Sequence, residues 1–155
     1  VDQSRFTGVH LCTEGRDSAF VGEPLGDNMP LVRIDYATGR PSNFGKRAGE
    51  IVYEAMRATI SVPENDKFQV ITAHPPGGVN HADGYLGVSY SDGLVLIQIT
   101  LNTGRTVELK KSLYKRIADD LHAMLGVRRE DVVISLVEVS RENWSFGNGV
   151  AQYAS

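Results

Sequence analysis

Cysteine is almost absent from this sequence: Cys12 is the single one in 155 residues. No intramolecular disulfide can form, and no Cys-rich zinc site can be built. The four histidines, His10, His74, His81 and His122, include no close i, i+4 pair of the kind that makes a helical metal site. We therefore expect no metal, no cofactor and a reducing, cytoplasmic setting. Charge of one sign is also lacking. The formal net charge is −3, with acids and bases mixed along the chain. That balance argues against a nucleic-acid or polybasic membrane partner. It leaves room for a small anionic substrate, which needs one or two local cations. No apolar run approaches the length that crosses a bilayer.

What is present fits an ordinary globular chain, 41% hydrophobic and 23% charged. This length suits one domain with a single core. Residues 1 to 28 show no sustained period, and no basic start followed by an apolar core as a signal peptide requires. They read as a loose extension or an upstream misread of the start, with Val1 fitting a GTG codon translated literally. The domain proper is expected over residues 30 to 155.

From Leu31 the chain repeats itself. Leu31-Val32-Arg33-Ile34 leads to Thr38-Gly39-Arg40, and Leu96-Ile97-Gln98-Ile99 leads to Thr103-Gly104-Arg105, 65 positions later. A helical stripe follows each: Phe44, Ala48, Ile51, Val52, Ala55, Met56, Thr59 and Ile60, then Leu109, Leu113, Ile117, Leu121, Met124 and Leu125. Ser42 and Thr106 are the expected N-caps, and Gly126 the expected helix stop. Val62 to Asp66 then matches Val127 to Asp131 at the same offset, ahead of strands Phe68–Ile71 and Val132–Leu136.

The unit is strand–helix–strand, so its two strands should be parallel with a right-handed crossover. Two such units predict an α+β fold: two tandem βαβ units in one four-stranded mixed sheet, with two helices on one face. The inner strands are apolar at nearly every position, as when both faces are covered. Two helices cover one face, so the other predicts a homo-oligomer. Gly84-Tyr85-Leu86-Gly87 reads as a short extra strand, and the tail from Trp144 to Gly149 as a tight C-terminal hairpin.

Met-Pro-Leu-Val-Arg-Ile-Asp at 29 to 35, Val-Pro-Glu-Asn-Asp at 62 to 66 and Trp-Ser-Phe-Gly-x-Gly-x-Ala-Gln at 144 to 152 together resemble the tautomerase superfamily. The resemblance runs from Pro30 to the C-terminus and is nearest the malonate semialdehyde decarboxylase-like and oxalocrotonate tautomerase-like branch. It implies a homotrimer. It also implies an acid/base enzyme acting on a small 2-oxo or 3-oxo acid by tautomerisation, decarboxylation or hydration. The catalytic group would be Pro30, made N-terminal by removal of Met29. A terminal proline is a secondary amine, with a pKa near the roughly 7.7–8.0 of an α-amine. Inside a chain it is a tertiary amide without basicity.

By the same resemblance Asp66 matches a carboxylate that holds the proline charged or activates water. Arg105 matches a guanidinium that binds the substrate carboxylate. A second arginine found in decarboxylase members is missing here, since Thr103 and Gly104 precede Arg105. Trp144 and Phe146 would wall the pocket. Plainer readings stand beside these. Asp66 has the repeat partner Asp131, and Arg105 has Arg40, so the turns alone could select both residues. A chain that keeps residues 1 to 28 would be a non-catalytic homo-oligomer with the proline blocked. A different enzyme could also use Asp66 and Arg105 without the amine.

Overall fold

A computed structural model describes residues 29–154. The expected extension over 1 to 28, with His10 and Cys12, lies outside the described residues. Strand β1 spans Leu31–Ala37, helix α1 Phe44–Ile60 and strand β2 Phe68–His74. A minimal hairpin, β3 Gly84–Tyr85 and β4 Val88–Ser89, sits between the two units. Strand β5 (Val95–Asn102), helix α2 (Val107–Leu125) and strand β6 (Val132–Val139) form the second unit.

The four long strands make one sheet in the order β2-β1-β5-β6. Leu31 lies opposite Phe68 in a parallel pair, and Val95 lies opposite Val132 in another. The two units meet through antiparallel β1 and β5, with Leu31 opposite Thr100. This is the two-unit mixed sheet expected from the repeat. The offset of 65 carries down to single hydrogen bonds. Val62 N–H donates to Met56 O, and Val127 N–H to Leu121 O. Thr38 N–H donates to His74 O, and Thr103 N–H to Val139 O. Asp66 N–H donates to Pro63 O, and Asp131 N–H to Arg128 O. The two halves are related by an approximate two-fold axis between β1 and β5.

Alternation sorts the strands into two faces. Val32, Ile34, Ile97, Ile99 and Leu101 are buried under both helices, against Val52 and Met56 of α1 and Leu113, Ile117 and Leu121 of α2. Helix α1 lies deeper, with ten buried positions against three for α2. Gly45 and Gly49 allow this approach: a Cβ at Gly49 would come within 2.8 Å of Ile71 Cδ1. Their two-fold counterparts are Lys110 and Tyr114, which hold α2 further out. The other face carries Arg33 and Asp35 with the exposed Phe68, Val70, Leu96 and Val137.

Two local expectations are corrected, the Ser42 cap and the tail hairpin, and two hold, the Thr106 cap and the Gly126 stop. Residue Asn43, not Ser42, takes the N-cap place of α1, and its side chain makes no capping bond. Pro41 explains this, because its carbonyl accepts Phe44 N–H and sets a turn before the helix. Thr106 does cap α2, accepting Leu109 N–H at 3.3 Å. Gly126 ends that helix in the left-handed region at φ 67°. The tail turns back without pairing strands. Positive φ at Gly147, Asn148 and Gly149 curls it, and Gln152 holds the curl through Phe146 N–H and Gly147 O.

Candidate active site

Pro30 stands just before β1, where a missing N–H breaks no ladder bond. It is buried. With Met29, Leu31, Phe68, Trp144, Ser145 and Phe146 it lines a cavity of about 250 Å³. The tail supplies the aromatic wall. Trp144 and Phe146 stack with centroids 5.5 Å apart and planes 15° from parallel. Phe146 also meets Phe68 at 6.3 Å and the edge of Tyr153 at 5.3 Å. Such pairs hold one another in register beyond the area they bury.

Asp66 belongs to the same end of the sheet. Two residues before Phe68, it lies alongside Met29 and Pro30 when the β1–β2 register is extended outward. Asn65, in the left-handed region at φ 69°, turns the chain there. Asp66 is 7% exposed, and its Oδ1 is buried with no hydrogen-bond partner among the described residues. Burial pushes the carboxyl up to about 6. The Tyr153 phenol is raised by burial first and by the Asp66 charge second, with Arg141 opposing. The carboxylate thus acts on the aromatic group of the tail.

Arg105 follows β5 and is partly buried. Desolvation lowers its pKa, and the charge of Glu138 opposes that. Its Nη1 donates to the backbone carbonyl of Asn102 at 2.6 Å. The side-chain Oδ1 of Asn102 accepts the Trp144 indole N–H at 2.7 Å. The structure therefore gathers Pro30, Trp144 and Phe146 round one cavity and sets Asp66 and Arg105 on its flanks, without either lining it. Asn102, Phe68 and Tyr153 were not singled out by sequence. For Asn102 a signal existed: it is the polar partner, under the 65-residue offset, of Ala37.

The two-fold axis produces a second such end, made of Val95, Asp131 and Arg40. Here the chain fills its own site. Asp131, 2% exposed, accepts Ser91 N–H at 2.7 Å and the Ser91 hydroxyl at 2.5 Å. Arg128 approaches the same carboxylate at 3.6 Å. Arg40 donates to Gly93 O at 2.5 Å, with its guanidinium 4.5 Å over the Phe44 ring. At the Pro30 end the counterpart of Arg128 is Pro63, which has no charge. The counterparts of Ser91, Asp92 and Gly93 are Gly26, Asp27 and Asn28, outside the described residues.

A buried carboxyl titrating near neutrality, a guanidinium and an apolar cavity suit proton transfer on a small anion. Among the described residues no group of three or more His, Cys, Asp and Glu side chains could hold a metal ion, and no helix is long and apolar enough to cross a membrane.

Comparison with known proteins agrees with this chemistry. Residues 66–147 match the model of a family described as tautomerase enzyme. A probable tautomerase of Bacillus subtilis (strain 168), YusQ, is 42% identical over 124 residues, covering 80% of this chain and 98% of that protein. The FG41 malonate semialdehyde decarboxylase, solved with the inhibitor 3-bromopropiolate, superposes with a TM-score of 0.74. It is 35% identical, over 80% of this chain and 94% of that one. A fused 4-OT, solved as a wild-type symmetric trimer, shares the fold at 23% identity and a TM-score of 0.65, over 80% of this chain and 98% of that one.

Proposed function

The chain belongs to the tautomerase enzyme family, and we propose that it is an acid/base enzyme for a small 2-oxo or 3-oxo carboxylic acid, working through Pro30 as an N-terminal amine. The observation that carries this reading is the meeting of three features at one sheet end: a buried Pro30, an aromatic cavity of about 250 Å³, and a buried carboxyl raised to about 6. Arg105 holds the substrate carboxylate with its planar fork. Phe68, Trp144 and Phe146 cover the apolar part and exclude water.

For an enol of a 2-oxo acid, the Pro30 ammonium gives its proton to C3 while Asp66 takes the enol hydroxyl proton. The product is the 2-oxo acid, and the proton returns from Asp66 to Pro30. With the Asp66 carboxyl near 6 and an ordinary α-amine at roughly 7.7–8.0, the return of the proton to the amine is downhill. A 3-oxo acid bound the same way places its carbonyl oxygen by the ammonium, which favours loss of CO₂ or attack of water. The open sheet face, with Phe68, Val70, Leu96 and Val137 exposed, suits burial in a homotrimer. The trimer of the fused 4-OT supports that assembly.

The test is the intact mass of the protein made from its native gene, followed by ketonisation of phenylenolpyruvate. Labelling by 3-bromopropiolate, the inhibitor of the decarboxylase relative, locates the nucleophile. We expect a chain beginning at Pro30, turnover, and one label on Pro30. Acylating that amine should lower kcat by about 10²- to 10⁴-fold. A mass for the full chain, with no turnover and no label, would refute the proline mechanism. The fold would then serve a non-catalytic oligomer.

A further inference from the structure

Asn102 closes β5 at a position where the fold requires nothing polar, since its two-fold counterpart at the end of β1 is Ala37. Yet Asn102 is only 2% exposed. A buried amide is unfavourable unless its polar atoms are bonded. Two of the bonds at Asn102 go to groups assigned above to the substrate. The side-chain oxygen holds the Trp144 indole N–H at 2.7 Å, and the main-chain oxygen holds the Arg105 guanidinium at 2.6 Å. The first distance is that of a close hydrogen bond, and the second is short even for a charged donor. Trp144 carries Phe146 stacked upon it, so the bond at Asn102 also orients the second ring.

We infer that Asn102 is a positioning residue that fixes the Trp144–Phe146 wall relative to Arg105, and so sets where a carboxylate substrate lies against Pro30. Its effect on substrate rests on the proposed function, whereas its grip on Trp144 does not. The wall belongs to a C-terminal tail built of turns, which has no ladder of its own to place it. A hydrogen bond to a central strand ties Trp144 to the sheet, Phe146 stacks on it and meets Phe68 of β2, and Gln152 holds the curl beyond.

Trp144 is the sole tryptophan, so its indole N–H gives one cross-peak in a ¹⁵N–¹H spectrum of the full chain. In Asn102→Leu this peak should shift, and its exchange with solvent should quicken at least tenfold. In Asn102→Asp, which keeps an acceptor oxygen, protection should persist. With phenylenolpyruvate, Asn102→Leu and Trp144→Phe should each raise KM about tenfold, the scale of one net hydrogen bond, with kcat changed less. The double variant should be no worse than the poorer single one, because both remove the same bond.

An Asn102→Leu protein that melts like wild type with an unchanged indole peak and exchange rate overturns the inference. So do single effects on KM that multiply in the double variant. If Asn102→Leu fails to fold, Trp144→Phe decides, and an unchanged KM there overturns the inference. Wild-type protein that turns over no enol would count against the proposed function, while the indole peak still decides the grip of Asn102.

Discussion

The two ends of the sheet are built from the same parts and differ in what fills them. At the Val95 end, Asp131 and Arg40 close on Ser91 and Gly93 of the linker between the units. At the Pro30 end, Asp66 keeps a buried oxygen with no donor among the described residues, beside an aromatic cavity. Among the described residues the same βαβ frame thus bonds one carboxylate to the linker and leaves an oxygen of the other without a donor. A buried acceptor without a donor is destabilising.

The strongest test of that division replaces each carboxylate by its amide. Asp66→Asn should lower kcat for an enol substrate by about 10²-fold or more, the range of a lost acid/base group. It should leave the fold intact. Asp131→Asn should leave kcat near wild type and lower stability by roughly 2 kcal/mol, since charge-assisted bonds from Ser91 become neutral ones. Kinetics and urea denaturation of both variants check this together. Equal kinetic losses would remove the functional distinction between the ends, and equal stability losses would remove the structural one.

Why the repeat was legible and the division was not follows from where each is encoded. The landmarks Thr-Gly-Arg and Val to Asp sit at backbone turns whose hydrogen bonds recur in both units, so spacing alone reveals the fold. Asp66 and Asp131 occupy the same local turn, and close by, Arg128 approaches Asp131 where the other turn has Pro63. The hydrogen bonds to Asp131 come from Ser91, 40 positions away in sequence. Trp144 and Phe146 were legible as a wall through the family resemblance of the tail motif, since the residues by themselves read as interface packing. Asn102, by contrast, looks like any polar residue at a strand end until the fold brings Trp144 to it. The Ser42 cap was misread because Pro41 acts one residue earlier than a capping pattern considers. The tail was read as a hairpin because turn residues signal chain reversal, not whether strands will pair afterwards.

A second test reads Asp66 by pH. The Asp66 carboxyl is raised to about 6 in the folded protein from the ordinary 3.8. Between those values the folded chain holds a proton that the unfolded chain has released. Stability therefore declines as pH rises from about 4 to 6 and stays lower above that, by about 3 kcal/mol in order of magnitude. Asp66→Asn removes this term. Its stability should be flatter across that window, and at pH 8 it should exceed wild type. Urea midpoints at pH 4, 5, 6 and 8 measure the difference. A wild-type profile that rises through the window would mean that a donor satisfies Asp66 in the protein, and would bring the two ends back into equivalence.

The smallest effect tests how far the two-fold likeness extends into the backbone. Both helices end on a left-handed residue: Ser61 at φ 56° after α1, and Gly126 at φ 67° after α2. Each donates its N–H back to the last turn, from Ser61 to Met56 O and from Gly126 to His122 O. The cap is the same, but one unit adopts it with a residue that has a Cβ. A Cβ built on Gly126 meets nothing within 4 Å, so Gly126→Ala reports the left-handed backbone alone. It should destabilise by about 1 kcal/mol. Ser61→Gly should relieve the same strain, offset by the greater freedom of glycine in the unfolded chain, for a net gain of about 0.5 kcal/mol. Thermal melts of the two variants give the comparison. Opposite signs would show that the caps are equivalent and that α1 carries strain which α2 avoids. A loss in both would show that the Ser61 side chain contributes more at its cap than the strain it brings, and that the likeness between the units stops at the helix ends.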